Sequence, residues 1–163
     1  MRSETNPRVN VLLIKGHLFF DAFGACLGKV KYHLGAKPMI GGVPGYDCTI
    51  SDCSGFVRWI LAYSVGVSKS LILPMGSWQQ SEWCKSQGFK KVSYKEVAGL
   101  KDSRLRIAFI APDGSLHGHV WFIFNGMTME CYGGVGVGRR KWDVDVLLKN
   151  VDSCYVLTDP LVV

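Results

Sequence analysis

A chain of 163 residues, 48% hydrophobic and 20% charged, has the length and make-up of one compact domain spanning residues 1–163, which excludes a disordered or fibrous protein. Nineteen Lys and Arg against thirteen Asp and Glu give a net charge of +6, dense between Lys85 and Arg106 and again at Arg139, Arg140 and Lys141. That balance suits an anionic partner or ordinary solvated lysines alike, and without an aromatic-and-basic signature it speaks against nucleic acid.

The apolar runs are too short for the roughly 20 residues that span a bilayer, so a soluble chain without membrane insertion is expected. The first residues, MRSETNPRVNVLLIKGH, lack both a long apolar core and a small-residue cleavage site, unlike a secretory signal peptide.

In chain order, Leu18, Phe19, Phe20, Ala22, Phe23, Cys26 and Leu27 recur with helical spacing, which predicts a helix from about His17 that closes at Gly28. The run GAKPMIGGVPG (35–45) marks a surface loop. Asp52 can cap a second helix with apolar positions Phe56, Val57, Trp59, Ile60 and Tyr63, ending near Gly66. Ser77 can cap a third that runs to Gly88. The periodicity then changes. LRIAFIA (105–111), HVWFIF (119–124), MTMECY (127–132) and CYVLT (154–158) read as strands, the second and third joined by Asn125-Gly126, a strong hairpin signal. Helices followed by an antiparallel sheet predict an α+β domain without internal repeats.

The six cysteines (Cys26, Cys48, Cys53, Cys84, Cys131 and Cys154) show no Cys-x-x-Cys pair and no His-x-x-x-His, so no metal is expected. They suit a reducing compartment and burial as small hydrophobes, although oxidation outside a cell stays open. Cys53 is the distinctive one, because DCSGFV (52–57) places it at a helix start. Unpaired N–H groups and the helix dipole favour a thiolate there, and a histidine partner would complete its activation. A buried structural thiol is the alternative. Cys48, in GYDCTI, lacks the following Ser-Gly and ranks below it.

His117 and His119 both precede or open the second strand and fall on one face by alternation. The hairpin register separates them. With a two-residue turn, Phe124 opposes Met127, Ile123 opposes Thr128 and Phe122 opposes Met129, which puts Glu130 diagonal to His119 and within side-chain reach. A carboxylate there can orient an imidazole and stabilise its cation.

DCSGFV (52–57) followed by GHVWFIFNG (118–126), with YHLGA (32–36) upstream, resembles the NlpC-type family of cell-wall peptidases. The segment TMECYGGVGVGRRKW (128–142) is similar to a version seen in phage-associated and effector-like members, with Glu where His is more frequent. The resemblance implies a papain-like α+β fold, N-terminal helices packed on a central antiparallel sheet. It implies a thiol hydrolase that cuts amide bonds in peptidoglycan stem peptides with Cys53 as nucleophile, His119 as base and Glu130 as orienting residue. It further implies Tyr32 as an oxyanion donor, Asp52 and Ser54 as receptors for the amino end of a stem peptide, and no cofactor. Asp52 as a plain helix cap and Tyr32 as a packing residue stay open beside these roles.

The expected setting is a monomer made in the cytoplasm and acting in the periplasm or cell wall after delivery by a phage or secretion apparatus. It would be a bacteriolytic enzyme or toxin effector, with an immunity or inhibitor protein as a further partner. Two other functions fit the same residues: an acyltransferase or deamidase acting on a protein or lipid, and a non-catalytic domain that binds glycan or a partner.

Overall fold

The computed structural model describes residues 10–65, 71–97, 101–113, 117–141 and 151–162. Helix α1 (Gly16–Cys26) leads into two short strands, β1 (Lys31–Tyr32) and β2 (Ile50–Ser51), which pair in parallel. Helices α2 (Cys53–Ser64), α3 (Ser77–Ser86) and α4 (Tyr94–Val97) follow. The strands β3 (Arg106–Ile110), β4 (His119–Phe124), β5 (Met127–Tyr132), β6 (Gly136–Gly138) and β7 (Ser153–Val156) form an antiparallel sheet in the order β6-β5-β4-β3-β7. This is the expected α+β arrangement.

Apolar alternation along the strands fills both faces of this sheet. Ile107, Phe109, Val120, Phe122, Met129 and Cys131 join a core with Phe19 and Phe23 of α1 and Phe56, Trp59 and Ile60 of α2. Ala108, Trp121, Ile123 and Cys154 form a smaller cluster on the opposite face, with Val92 and Tyr94 against it. Helix α2 is buried on most of its circumference, from Cys53 to Val57 and again at Trp59, Ile60, Leu61 and Ser64. A helix apolar nearly all round belongs inside a domain, and here it is covered by α1 and the sheet.

The β4–β5 hairpin has the register read from the sequence: Phe124 opposite Met127, Ile123 opposite Thr128 and Phe122 opposite Met129. Asn125 (φ 51°) and Gly126 (φ 76°) both take the left-handed conformation that a two-residue turn of this twist requires.

Two local expectations change, and three strands are new. Ser77 is the first residue of α3; the cap position falls to Gly76, whose φ of 93° suits glycine, and no side chain caps the helix. The last strand runs Ser153–Val156, shifted from the expected 154–158, because it pairs with β3 from Arg106↔Val156 to Phe109↔Ser153. Strands β1, β2 and β6 are too short to leave an alternation in the sequence. Helix α2 ends at Ser64 with Val65 as its C-cap, beside the expected end near Gly66.

Candidate active site

Asp52 caps α2: its side chain accepts the backbone N–H of Gly55 at 2.7 Å, which satisfies one of the unpaired donors of the first turn. Cys53 is therefore the first residue of a capped, buried helix, only 6% exposed. Gly55 is required by close approach. A Cβ there would stand 2.8 Å from the Ala36 carbonyl oxygen and 2.9 Å from Asp52 Oδ1. Behind the first turn, Gln80 of α3 donates through Nε2 to the Ser54 carbonyl at 2.9 Å, fixing α3 against the helix start.

Tyr32 lies far from Cys53 in sequence, and β1–β2 pairing removes that distance. Lys31 opposes Ile50 and Tyr32 opposes Ser51, the residue before the Asp52 cap. His33 N–H donates to the Ser51 carbonyl at 3.0 Å and Asp52 N–H to the Ala36 carbonyl at 2.9 Å, so YHLGA is sewn alongside the segment entering α2. Burial, followed by the nearby Cys53, Asp52 and Cys131, pushes the Tyr32 phenol above its ordinary value. It stays a hydroxyl donor at neutral pH.

His119 opens β4, and its Nε2 meets Glu130 Oε1 at 2.7 Å. Cys53 also acts on this imidazole, and with Nε2 engaged by Glu130 the ring nitrogen left for the thiol is Nδ1. The imidazole also stacks on Trp121, with centroids 5.3 Å apart. Burial opposes a charge on His119, but hydrogen bonds to Cys53 and Glu130, with their negative charge, outweigh it and push the imidazole up to about 9.

Glu130 is fully buried. Such a carboxylate needs paired donors, and Arg140 supplies two: Nε to Oε2 at 3.1 Å and Nη2 to Oε1 at 2.5 Å. Burial raises the Glu130 carboxyl, yet His119 and Arg140 more than offset it and leave it below its ordinary value. Arg140 is itself held, its guanidinium 4.2 Å over the Tyr132 ring and its backbone N–H bonded to Thr128 Oγ1 at 2.8 Å. Cys53, His119, Glu130 and Arg140 form one continuous chain.

Arg140 was not singled out by sequence, where it is one of three basic residues in a row. Its signal is the β5–β6 register, Glu130↔Gly138, which sets Arg140 diagonal to Glu130. Lys37 was missed altogether. Its Nζ bonds the Asp52 carboxylate and donates to Ser54 Oγ at 2.8 Å.

Tyr32, Lys37, Asp52, Cys53 and Ser54 line a cleft of about 420 Å³, together with Trp78, Asp113 and His117. His117 faces this cleft, whereas His119 carries the bonds to Cys53 and Glu130. Gly118 between them again answers to space: a Cβ would lie 2.7 Å from Ser77 Oγ and 2.9 Å from the Ile110 carbonyl oxygen. All six cysteines carry free thiols. Among the described residues no three His, Cys, Asp or Glu side chains converge as metal ligands would.

No protein-family model matches the sequence, and no curated protein matches it at a significant level. Solved structures do share its fold. One is a protein described as similar to lipoprotein, of the NLP/P60 family, from Staphylococcus aureus subsp. aureus Mu50: 14% identical, TM-score 0.58, covering 95% of this chain and 46% of that one. Another is an NlpC/P60 family protein from Bacillus cereus ATCC 10987: 16% identical, TM-score 0.58, covering 92% of this chain and 42% of that one. The chain spans less than half the length of either. At these identities the likeness is one of architecture: the helices and antiparallel sheet are arranged as in NlpC/P60 proteins.

Proposed function

We propose that this protein is a cysteine amidase or endopeptidase that hydrolyses amide bonds in peptidoglycan stem peptides through a thioester on Cys53. The observation that carries the reading is the chain from Cys53 through His119 to Glu130, built at a helix N-terminus beside an open cleft. Its NlpC/P60-like fold is further support.

In this reading the Cys53 proton passes to His119 Nδ1 and the thiolate attacks the substrate carbonyl carbon. The developing oxyanion takes the Cys53 backbone N–H and the Tyr32 hydroxyl. His119, as imidazolium, then gives its proton to the leaving nitrogen as the C–N bond breaks. Water attacks the thioester with His119 as base, releasing a carboxylic acid and restoring the thiol. Glu130 stays ionised between His119 and Arg140, and so fixes the ring with Nε2 protonated and Nδ1 toward the thiol. The basic surface suits an acidic polymer.

Purified protein incubated with muropeptides should release new free amines, identified by mass spectrometry, which would also name the bond cut. No product from protein whose Cys53 still reacts with iodoacetamide would overturn the hydrolase reading. Transfer of an acyl group to an added amine, in place of hydrolysis, would favour an acyltransferase.

A further inference from the structure

Asp52 and Ser54 stand where the resemblance implies a receptor for a free amino end, and the structure fills that position from within. Asp52 Oδ1 accepts from Gly55 N–H at 2.7 Å and from Ser54 Oγ at 3.3 Å, and Lys37 holds Oδ2. Lys37 also donates to Ser54 Oγ at 2.8 Å. Asp52 is 4% and Ser54 3% exposed, while the Lys37 side chain keeps 24% of its surface and borders the cleft together with Cys53.

The charges of Lys37 and Asp52 cancel, so the cleft wall offers no net attraction to an incoming ammonium, which would also stand beside the Lys37 ammonium. An ammonium carries three donors, and two of these are committed to Asp52 and Ser54. The remaining N–H asks for an acceptor.

We propose that Lys37 is a specificity-determining residue that makes this wall of the cleft a subsite for an acylated amino end, whose carbonyl oxygen accepts from Lys37, and that disfavours a free ammonium end. This rests on the stem-peptide reading and deepens it. The enzyme would then act on stems whose first nitrogen is still in amide linkage to the glycan, ahead of any reaction that frees that amine.

The test uses Cys53→Ala protein, which binds without turnover, and two probes: L-alanyl-γ-D-glutamyl-diaminopimelate with a free amino end, and its N-acetyl form. Calorimetry should show the N-acetyl peptide binding at least about tenfold more tightly, a spread of roughly 1.4 kcal/mol. Adding Lys37→Met should reverse the order, because Asp52 is then an unpaired carboxylate, and Lys37→Arg should keep it. Equal affinities, preference for the free amine, or no binding of either peptide to the Lys37-containing protein would overturn the proposal. That comparison needs no folded Lys37 variant. Hydrolysis is scored separately with the unaltered protein. Cleavage of both peptides at equal rates would keep the amidase reading and remove this inference. Preferential binding of the N-acetyl form without cleavage of either, nor of intact muropeptides, would remove the amidase reading and leave the subsite.

Discussion

Asp47-Cys48 and Asp52-Cys53 repeat one dipeptide within a short stretch, and in both the carboxylate accepts a backbone N–H: Val43 on Asp47 at 2.5 Å and Gly55 on Asp52 at 2.7 Å. At Asp47 the bond reaches backwards and closes a turn in a loop; at Asp52 it reaches forwards and caps a helix. Cys48 packs into the core at 2% exposure, where burial, and then Cys26, pushes its thiol up to about 12. Cys53 lines the cleft and meets His119. The same two residues thus make an inert thiol in one place and a candidate nucleophile in the other. The environment decides, because a thiol needs donors and a cation nearby to hold its charge.

The largest expected effect separates the two steps directly. Cys53→Ala should cut muropeptide hydrolysis by roughly 10⁴-fold or more, as removal of a nucleophile does in comparable enzymes. Cys48→Ala should leave the rate unchanged and lower stability by about 1 kcal/mol, seen as a reduced Tm. Iodoacetamide, followed by peptide mapping, should label Cys53 in the native protein and spare Cys48. Equal loss of activity from Cys48→Ala would erase the distinction.

His119→Ala should cost about 10²- to 10⁴-fold in kcat/KM, the usual worth of a positioned acid-base group. His117→Ala, on the cleft wall alone, should cost far less. The opposite ranking would mean that the hairpin presents the wrong imidazole to Cys53. Tyr32→Phe should follow, lowering kcat by roughly 10²-fold with little change in KM, as expected for a donor that acts only on the developing oxyanion. A change confined to KM would make Tyr32 a packing or binding residue.

The smallest effect is a displacement in pH. His119 is raised from 6.5 to about 9, so the favourable energy of its charged contacts is fully present below about 6.5 and lost as pH rises through about 9. The kcat/KM profile should therefore fall on its basic side near pH 9, since the imidazolium must protonate the leaving amine. Glu130→Gln removes one of the two negative partners and should move that limb toward the ordinary histidine value. Glu130 itself, lowered by its partners, contributes above its unfolded value and loses that contribution as pH falls through the depressed one. An unmoved basic limb in the Glu130→Gln profile would disconnect Glu130 from His119.

Much of this was legible in the chain because it is local. The Asp52 cap, the spacing of Phe56, Trp59 and Ile60, and the Asn125-Gly126 turn are each decided within a few residues, and the turn carries its register outward to His119 and Glu130. The partners that complete the site are not local. Lys37 reaches Asp52 only because the Ala36 carbonyl and the β1–β2 pair draw YHLGA against the helix start. Arg140 reaches Glu130 only because β6 returns beside β5.

The sequence by itself determined which residues could be reactive and on which elements they sit, since capping, periodicity and turn chemistry act through neighbours in the chain. Only the tertiary structure decided the charge each one carries. For the buried groups that depends on the ions and donors brought up from distant segments: His119 and Arg140 on Glu130, Cys53 and Glu130 on His119, and Cys26 beside Cys48.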